Sequence, residues 1–145
     1  MDINSPMIKK AINLAFNAHE GQTDKGGMAY IMHPFYIESK LNEEDEIITA
    51  LLHDTLEDSN LTKEDLLNEG FSTDIIEAID TLTKKQDDYF DYIYKVKKND
   101  LARKIKLLDL KHNMDLTRLE KITNKDIKRN ERYKKAIEIL NGDYK

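Results

Sequence analysis

Apolar residues recur at intervals of three and four along most of this chain, and each run of that pattern predicts a helix. From Ser5 to His19, Ile8, Ala11, Ile12, Ala15 and Phe16 share one face, with Ser5 as a cap and Pro6 at the first helical position. Gly26-Gly27 breaks the pattern between Gly21 and Tyr30, and His33-Pro34 opens a short second helix to about Leu41. Asn42 is the expected cap of a third helix, whose stripe Ile47, Ile48, Leu51, Leu52 and Leu56 runs beside His53 and Asp54. Thr62 with Asp65 forms a capping box with a shorter acid for a helix that Gly70 ends, and Ser72 starts the next, through Ile75, Ile76, Ile79 and Leu82. After an aromatic, charged stretch from Tyr89 to Tyr94, Asp100 is the expected cap of a long helix through Ile105, Leu107 and Leu108. A final helix fits Asp126 to Leu140, with Thr123 at its start and Gly142 past its end. Seven or eight helices with short connections and no repeat or linker predict an all-α bundle, with residues 1–145 as a single domain.

Composition sharpens this picture. Of 145 residues, 39% are apolar and 35% charged, and only two prolines and five glycines interrupt them, which favours long helices. The net charge of −5 argues against a broad nucleic-acid platform, which needs a surplus of Lys and Arg. With no cysteine there is no disulfide framework and no thiolate metal site, so any metal sits on His, carboxylate and water. The first residues lack the apolar region of a signal peptide, and no run approaches the roughly 20 apolar residues of a membrane span. The expected location is the cytoplasm, with no membrane partner.

Chemistry concentrates in the segment LLHDTLEDS. On one helix, His53 and Glu57 would lie a turn apart, as would Asp54 and Asp58, beside a stripe that must be buried. Polar groups at such an edge are paired, metal-bound or strongly shifted in pKa. His33 and Asp109 are the candidates to complete a site. Asp109 lies within the apolar run IKLLDLKHNM, where a carboxylate costs several kcal/mol unless a cation or hydrogen bonds compensate. Two imidazoles and two carboxylates suit Mn²⁺, Fe²⁺ or Zn²⁺ better than Ca²⁺ or Mg²⁺, and Mn²⁺ is the favoured choice. Glu57 and Asp58 are placed to take or relay a proton from water activated by that ion.

The runs AFNAHEGQTDKGGMAYIMHP, ALLHDTLEDS and IKLLDLKHNM, in this order and spacing, resemble the HD-domain hydrolases of RelA/SpoT type, the alarmone hydrolases and their small stand-alone relatives. The resemblance implies an HD-domain helical bundle in which His33, His53, Asp54 and Asp109 bind Mn²⁺. It also implies that Glu57 and Asp58 activate or orient the attacking water, and that Asn113 contacts the nucleotide. The implied reaction removes pyrophosphate from the ribose 3′ position of guanosine tetra- or pentaphosphate, a small-molecule nucleotide.

Two departures from that family's pattern keep other substrates open. Where the family has an Arg-Lys pair after Gly-Gln, this chain reads Thr23-Asp24-Lys25, and a carboxylate at position 24 can neither stack on a base as a guanidinium does nor attract phosphate. The stretch Asp115-Leu116-Thr117-Arg118 also differs from the usual Arg-Thr-Leu. An HD-domain nucleotidase or phosphodiesterase acting on another nucleotide, and a non-catalytic nucleotide-binding domain, are the alternatives. Lys25, in its glycine-flanked loop, is a candidate phosphate or base contact. His19 and His112 read as packing or supporting groups, Tyr89 to Tyr94 as core or interface, and Lys125 to Lys135 as a solvated helix face.

Overall fold

The central helix of the bundle is the one with the most continuous apolar run. In a computed structural model that describes residues 5–142, with the side chain of Arg118 outside the description, Glu44–Leu52 forms a helix (α3) whose residues from Ile47 to Leu52 are all buried. Such a helix is apolar all round and needs neighbours on every side. It has them: α1 (Pro6–Ala18), α2 (Met32–Glu38), α6 (Thr73–Leu82) and α8 (Asp100–Asn113) all pack against it. Each fully buried Leu or Ile contributes about 1.5–3 kcal/mol, and Ile47, Ile48, Leu51 and Leu52 are at most 2% exposed. Around this core run α4 (Thr55–Asp58), α5 (Lys63–Asn68), α7 (Tyr89–Lys97) and α9 (Asn124–Leu140), with one 3-10 turn at Leu116–Arg118. The described residues contain no strand, only an isolated bridge between Thr23 and Ala29. The expected all-α bundle is therefore the observed class among the described residues.

Local signals place most helix starts. Ser5 accepts a hydrogen bond from the Ile8 amide with Pro6 at the first position, and Thr62/Asp65 and Thr123/Asp126 form reciprocal capping boxes. Two caps shift by one residue: Glu43, without a side-chain bond, precedes α3 in place of Asn42, and Asn99 caps α8, leaving Asp100 as its first residue. The aromatic stretch folds as α7, started by the Asp88 carboxylate on the amides of Phe90 and Asp91.

The count exceeds eight because the expected third helix breaks in two. His53 and Asp54 do not lie on one straight helix with Glu57 and Asp58: α3 ends at Leu52, Asp54 adopts φ −106° and ψ 1°, and α4 begins at Thr55. The cause is competition for the terminal carbonyls. His53 Nδ1 donates to the Ala50 carbonyl at 2.6 Å and the buried Thr55 hydroxyl to the Leu52 carbonyl at 2.8 Å. These side chains close the last turn of α3 and let the chain change direction. The break matters for function, because it turns Asp54 back toward the His53 ring.

Candidate metal centre and adjoining cleft

Helices α2, α3 and α8 pack on one another, and each delivers a ligand-type side chain to their junction. His33 comes from the first turn of α2, His53 from the end of α3, Asp54 from the break, and Asp109 from the middle of α8. One donor atom from each of these four lies within 4.8 Å of all the others, close to the about 4 Å that separates donors across an ion with bonds of 2.0–2.2 Å. His33, His53 and Asp109 are buried. The four expected ligands thus come together.

The donor set tests well for a cation. Because His53 Nδ1 spends its proton on the Ala50 carbonyl, Nε2 is the nitrogen left to face the cluster. Nε2 is buried and has no hydrogen-bond partner, although Asp54 Oδ2 is 3.0 Å away and Asp109 Oδ1 3.5 Å. An imidazole nitrogen so placed between two carboxylates suits a ligand lone pair. Asp109 divides its oxygens: Oδ1 faces His33 Nε2 at 2.7 Å and Asn113 Nδ2 at 3.1 Å, while Oδ2 accepts from Lys106 Nζ at 2.9 Å. Tyr30 from the preceding loop donates its hydroxyl to Asp54.

The electrostatics show what the cluster demands. Burial alone would push the Asp109 carboxyl up, but the Lys106 charge and the His33 hydrogen bond hold it well below the usual range. Burial would depress the His53 pKa, yet Asp54 and Asp109 outweigh it and hold it well above its ordinary value. Asp54, against the same burial, is brought to about 2 by His53. Two buried carboxylates therefore draw positive charge to this junction, which a divalent ion would supply.

Glu57 and Asp58 sit at the solvent-facing side of the same cluster, each within 4.8 Å of Asp54 through a carboxylate oxygen. Burial and the neighbouring acids raise both: Asp54 and Asp58 act on Glu57, and Asp54 acts on Asp58. A raised carboxylate is a stronger base when ionised.

A cavity of about 300 Å³ opens beside His33, lined by the 23–26 loop, Tyr30, Asn113, Asp115, Leu116, Leu119, and Arg129 and Tyr133 of α9. Lys25 and Asn113, expected as substrate contacts, both face it. Asp24 is largely committed to its own turn, where its Oδ1 accepts from the amides of Gly26 and Met28 and its amide donates to the Met28 carbonyl. Gly27, at φ +85°, closes that turn. Of the departing stretch, Asp115 and Leu116 line the cavity, and the Arg118 side chain lies outside the described residues. The run from Lys125 to Lys135 is not wholly a solvated face, since half-buried Arg129 points to the cavity and pairs with Asp126. Burial and the Arg129 charge lower the Lys25 pKa, so the two cations share one neighbourhood.

Three contributors escaped the sequence reading: Lys106, Tyr30 and Arg129. For Lys106 a signal existed, a lysine one turn before a buried acid. Tyr30 and Arg129 depend on tertiary placement. His112 has its Nδ1 2.6 Å from His33 Nδ1, and His19 bonds Gln22 at 2.9 Å.

No family model matches the chain. A GTP pyrophosphokinase of Myxococcus xanthus is 38% identical over 87 residues, 57% of this chain and 11% of that protein. A guanosine-3′,5′-bis(diphosphate) 3′-pyrophosphohydrolase of Vibrio cholerae is 37% identical over 81 residues, 53% of the chain and 11% of the relative. One of the same name from Borreliella burgdorferi is 38% identical over 84 residues, 55% and 12% respectively. The matched segment thus spans only about a ninth of each of these relatives. A solved structure of a metazoan ortholog of SpoT, described as hydrolysing ppGpp, superposes with a TM-score of 0.77 at 21% identity, covering 94% of this chain and 85% of that one. The helical architecture is shared with that structure. The aligned segment is similar to a part of relatives named GTP pyrophosphokinase and guanosine-3′,5′-bis(diphosphate) 3′-pyrophosphohydrolase.

Proposed function

We propose that this domain is a divalent-cation-dependent phosphohydrolase that removes pyrophosphate from the 3′ position of guanosine tetra- or pentaphosphate. The observation that carries this reading is the buried, unpartnered His53 Nε2 facing two carboxylates, beside a cavity with a lysine and an arginine. The names of the relatives and of the structural neighbour supply the substrate. His33, His53, Asp54 and Asp109 would hold the ion, with Mn²⁺ the proposed metal because mixed imidazole-carboxylate sets suit it. When bound, the ion acidifies water and offsets charge on a phosphoryl oxygen.

The chain's own residues do the rest. Glu57, with Asp58 beside it, accepts the proton of the attacking water. The bond between the ribose 3′ oxygen and its phosphorus breaks, the water oxygen joins the departing pyrophosphate, and a proton goes to the 3′ oxygen. Lys25, with Arg129 across the cleft, meets the phosphate charge, and Asn113 carries the nucleotide contact next to Asp109. Purified protein with Mn²⁺ should convert guanosine tetraphosphate to guanosine diphosphate and pyrophosphate, and a chelator should stop it. Glu57→Gln should lower kcat by about 10²–10⁴-fold while leaving cation affinity unchanged. No pyrophosphate release with Mn²⁺ would remove the substrate assignment.

A second reading, another nucleotide or phosphate ester, is favoured by Asp24, which puts a carboxylate at the cavity wall. A substrate panel decides between them: turnover confined to the guanosine alarmones rejects the second.

A further inference from the structure

We propose that His112 is a positioning residue for the cation site, acting through His33. This rests on the cation site proposed above. For His33 to present Nε2 toward Asp109 and the cluster as a ligand, its proton must sit on Nδ1, and that proton needs an acceptor. Nδ1 of His112 lies 2.6 Å from Nδ1 of His33. The two ring planes are within 12° and the centroids 4.9 Å apart. With nitrogens so close, that separation describes rings lying edge to edge in a common plane, so the N–H···N bond runs along both in-plane lone-pair directions.

The plane of His112 is itself fixed. Tyr36, one turn along α2 from His33, lies face to face with His112 at 4.1 Å between centroids and 16° between planes. His112 is carried on α8 one turn from Asp109, so the same pair of helices supplies a ligand each and the support between them. Most metal-binding histidines rest on a carboxylate or a carbonyl oxygen. Here the support is an imidazole, which adds no further negative charge to a cluster already holding Asp54 and Asp109.

Two substitutions separate this role from packing. His112→Phe keeps an aromatic face against Tyr36 and removes the acceptor, while His112→Asn keeps an acceptor oxygen near the position of Nδ1 and removes the ring. Calorimetric titration of Zn²⁺ or Mn²⁺ into chelator-treated protein should show affinity reduced about 10–100-fold in His112→Phe and nearly retained in His112→Asn. Equal affinity of His112→Phe and wild type, or equal loss in both variants, overturns the proposal. Should His112→Phe fail to fold, ¹⁵N NMR of Zn²⁺-loaded wild type reads the tautomer directly. Protonated His33 Nδ1 with a coupling to His112 Nδ1 is expected, and His33 bound through Nδ1 overturns it. Wild type that takes up neither ion removes the cation site itself and this role with it, whereas a wild type that binds while His112→Phe binds equally removes only this role.

Discussion

Two buried aspartates, Asp109 in the middle of α8 and Asp126 at the start of α9, look alike in isolation and serve opposite ends. Both carboxyls lie below the usual range. Asp126 finds its partners within three residues: the Thr123 amide at 2.8 Å, the Thr123 hydroxyl at 2.9 Å, and the Arg129 guanidinium. That set belongs to the first turn of one helix, a capping box with a cation added. Asp109 takes two of its partners, His33 and His53, from α2 and the end of α3. Its environment exists only after three helices pack, and it arrives with a second carboxylate and an imidazole nitrogen that has no hydrogen-bond partner. An acid satisfied by its own turn holds a helix end. An acid whose satisfaction is tertiary, and leaves negative charge in excess, defines a site.

The sharpest way to break that contrast is Asp109→Asn. In wild type, cation at about 100 times its Kd should add about 2.7 kcal/mol of stability, seen as a rise in Tm on adding Mn²⁺. Asp109→Asn should abolish both that rise and the proposed alarmone turnover, and an undiminished Tm rise would show that Asp109 is not a ligand. Lys106→Met tests the same acid from its other oxygen. Lys106 Nζ bonds Asp109 Oδ2 at 2.9 Å and lies 5.4 Å from the centre of the Tyr92 ring, so its loss leaves a buried carboxylate oxygen unpaired. Breaking such a pair costs about 3–5 kcal/mol, measured by denaturant unfolding in chelator, and saturating cation should recover part of it. A loss that cation leaves unchanged would assign Lys106 to packing alone. Smaller again is Asp126→Ala, which should lower Tm by roughly 2–5 °C without altering the rise caused by cation.

The same contrast explains what could be read from the sequence. Local devices were legible: Ser5-Pro6, Thr62 with Asp65, and Thr123 with Asp126 act within one turn, so their meaning travels with the residues. Asp109 was legible as a misfit, a carboxylate in an apolar helix, and His33, His53 and Asp54 through the motifs around them. The break after His53 was not, because Leu51, Leu52 and Leu56 continue the helical stripe through it. What ends α3 is two side-chain bonds to carbonyls that no periodicity encodes. Arg129 was hidden among solvated lysines, since only the placement of α9 across from the 23–26 loop gives it a cavity to face.

The smallest effect is a pH dependence that separates the two acids without touching the four ligand residues. The Asp126 carboxyl is held at about 2, chiefly by the Thr123 amide and then by Arg129 and the Thr123 hydroxyl, against an ordinary value of 3.8. A folded pKa below the unfolded one means that the unfolded chain binds the proton more readily. The contribution is therefore complete above about pH 4 and fades as pH falls from there toward about 2. Urea unfolding of wild type and Asp126→Asn, run in chelator so that cation binding does not enter, should show a stability gap that is constant near neutrality and closes across that window. Asn keeps a carbonyl acceptor for Thr123 but no charge for Arg129, so the closing gap isolates the ionic part of the cap. A gap that persists unchanged to about pH 2 would mean that the hydrogen bonds alone hold the start of α9, and that the Arg129 charge is spent on the cavity it faces.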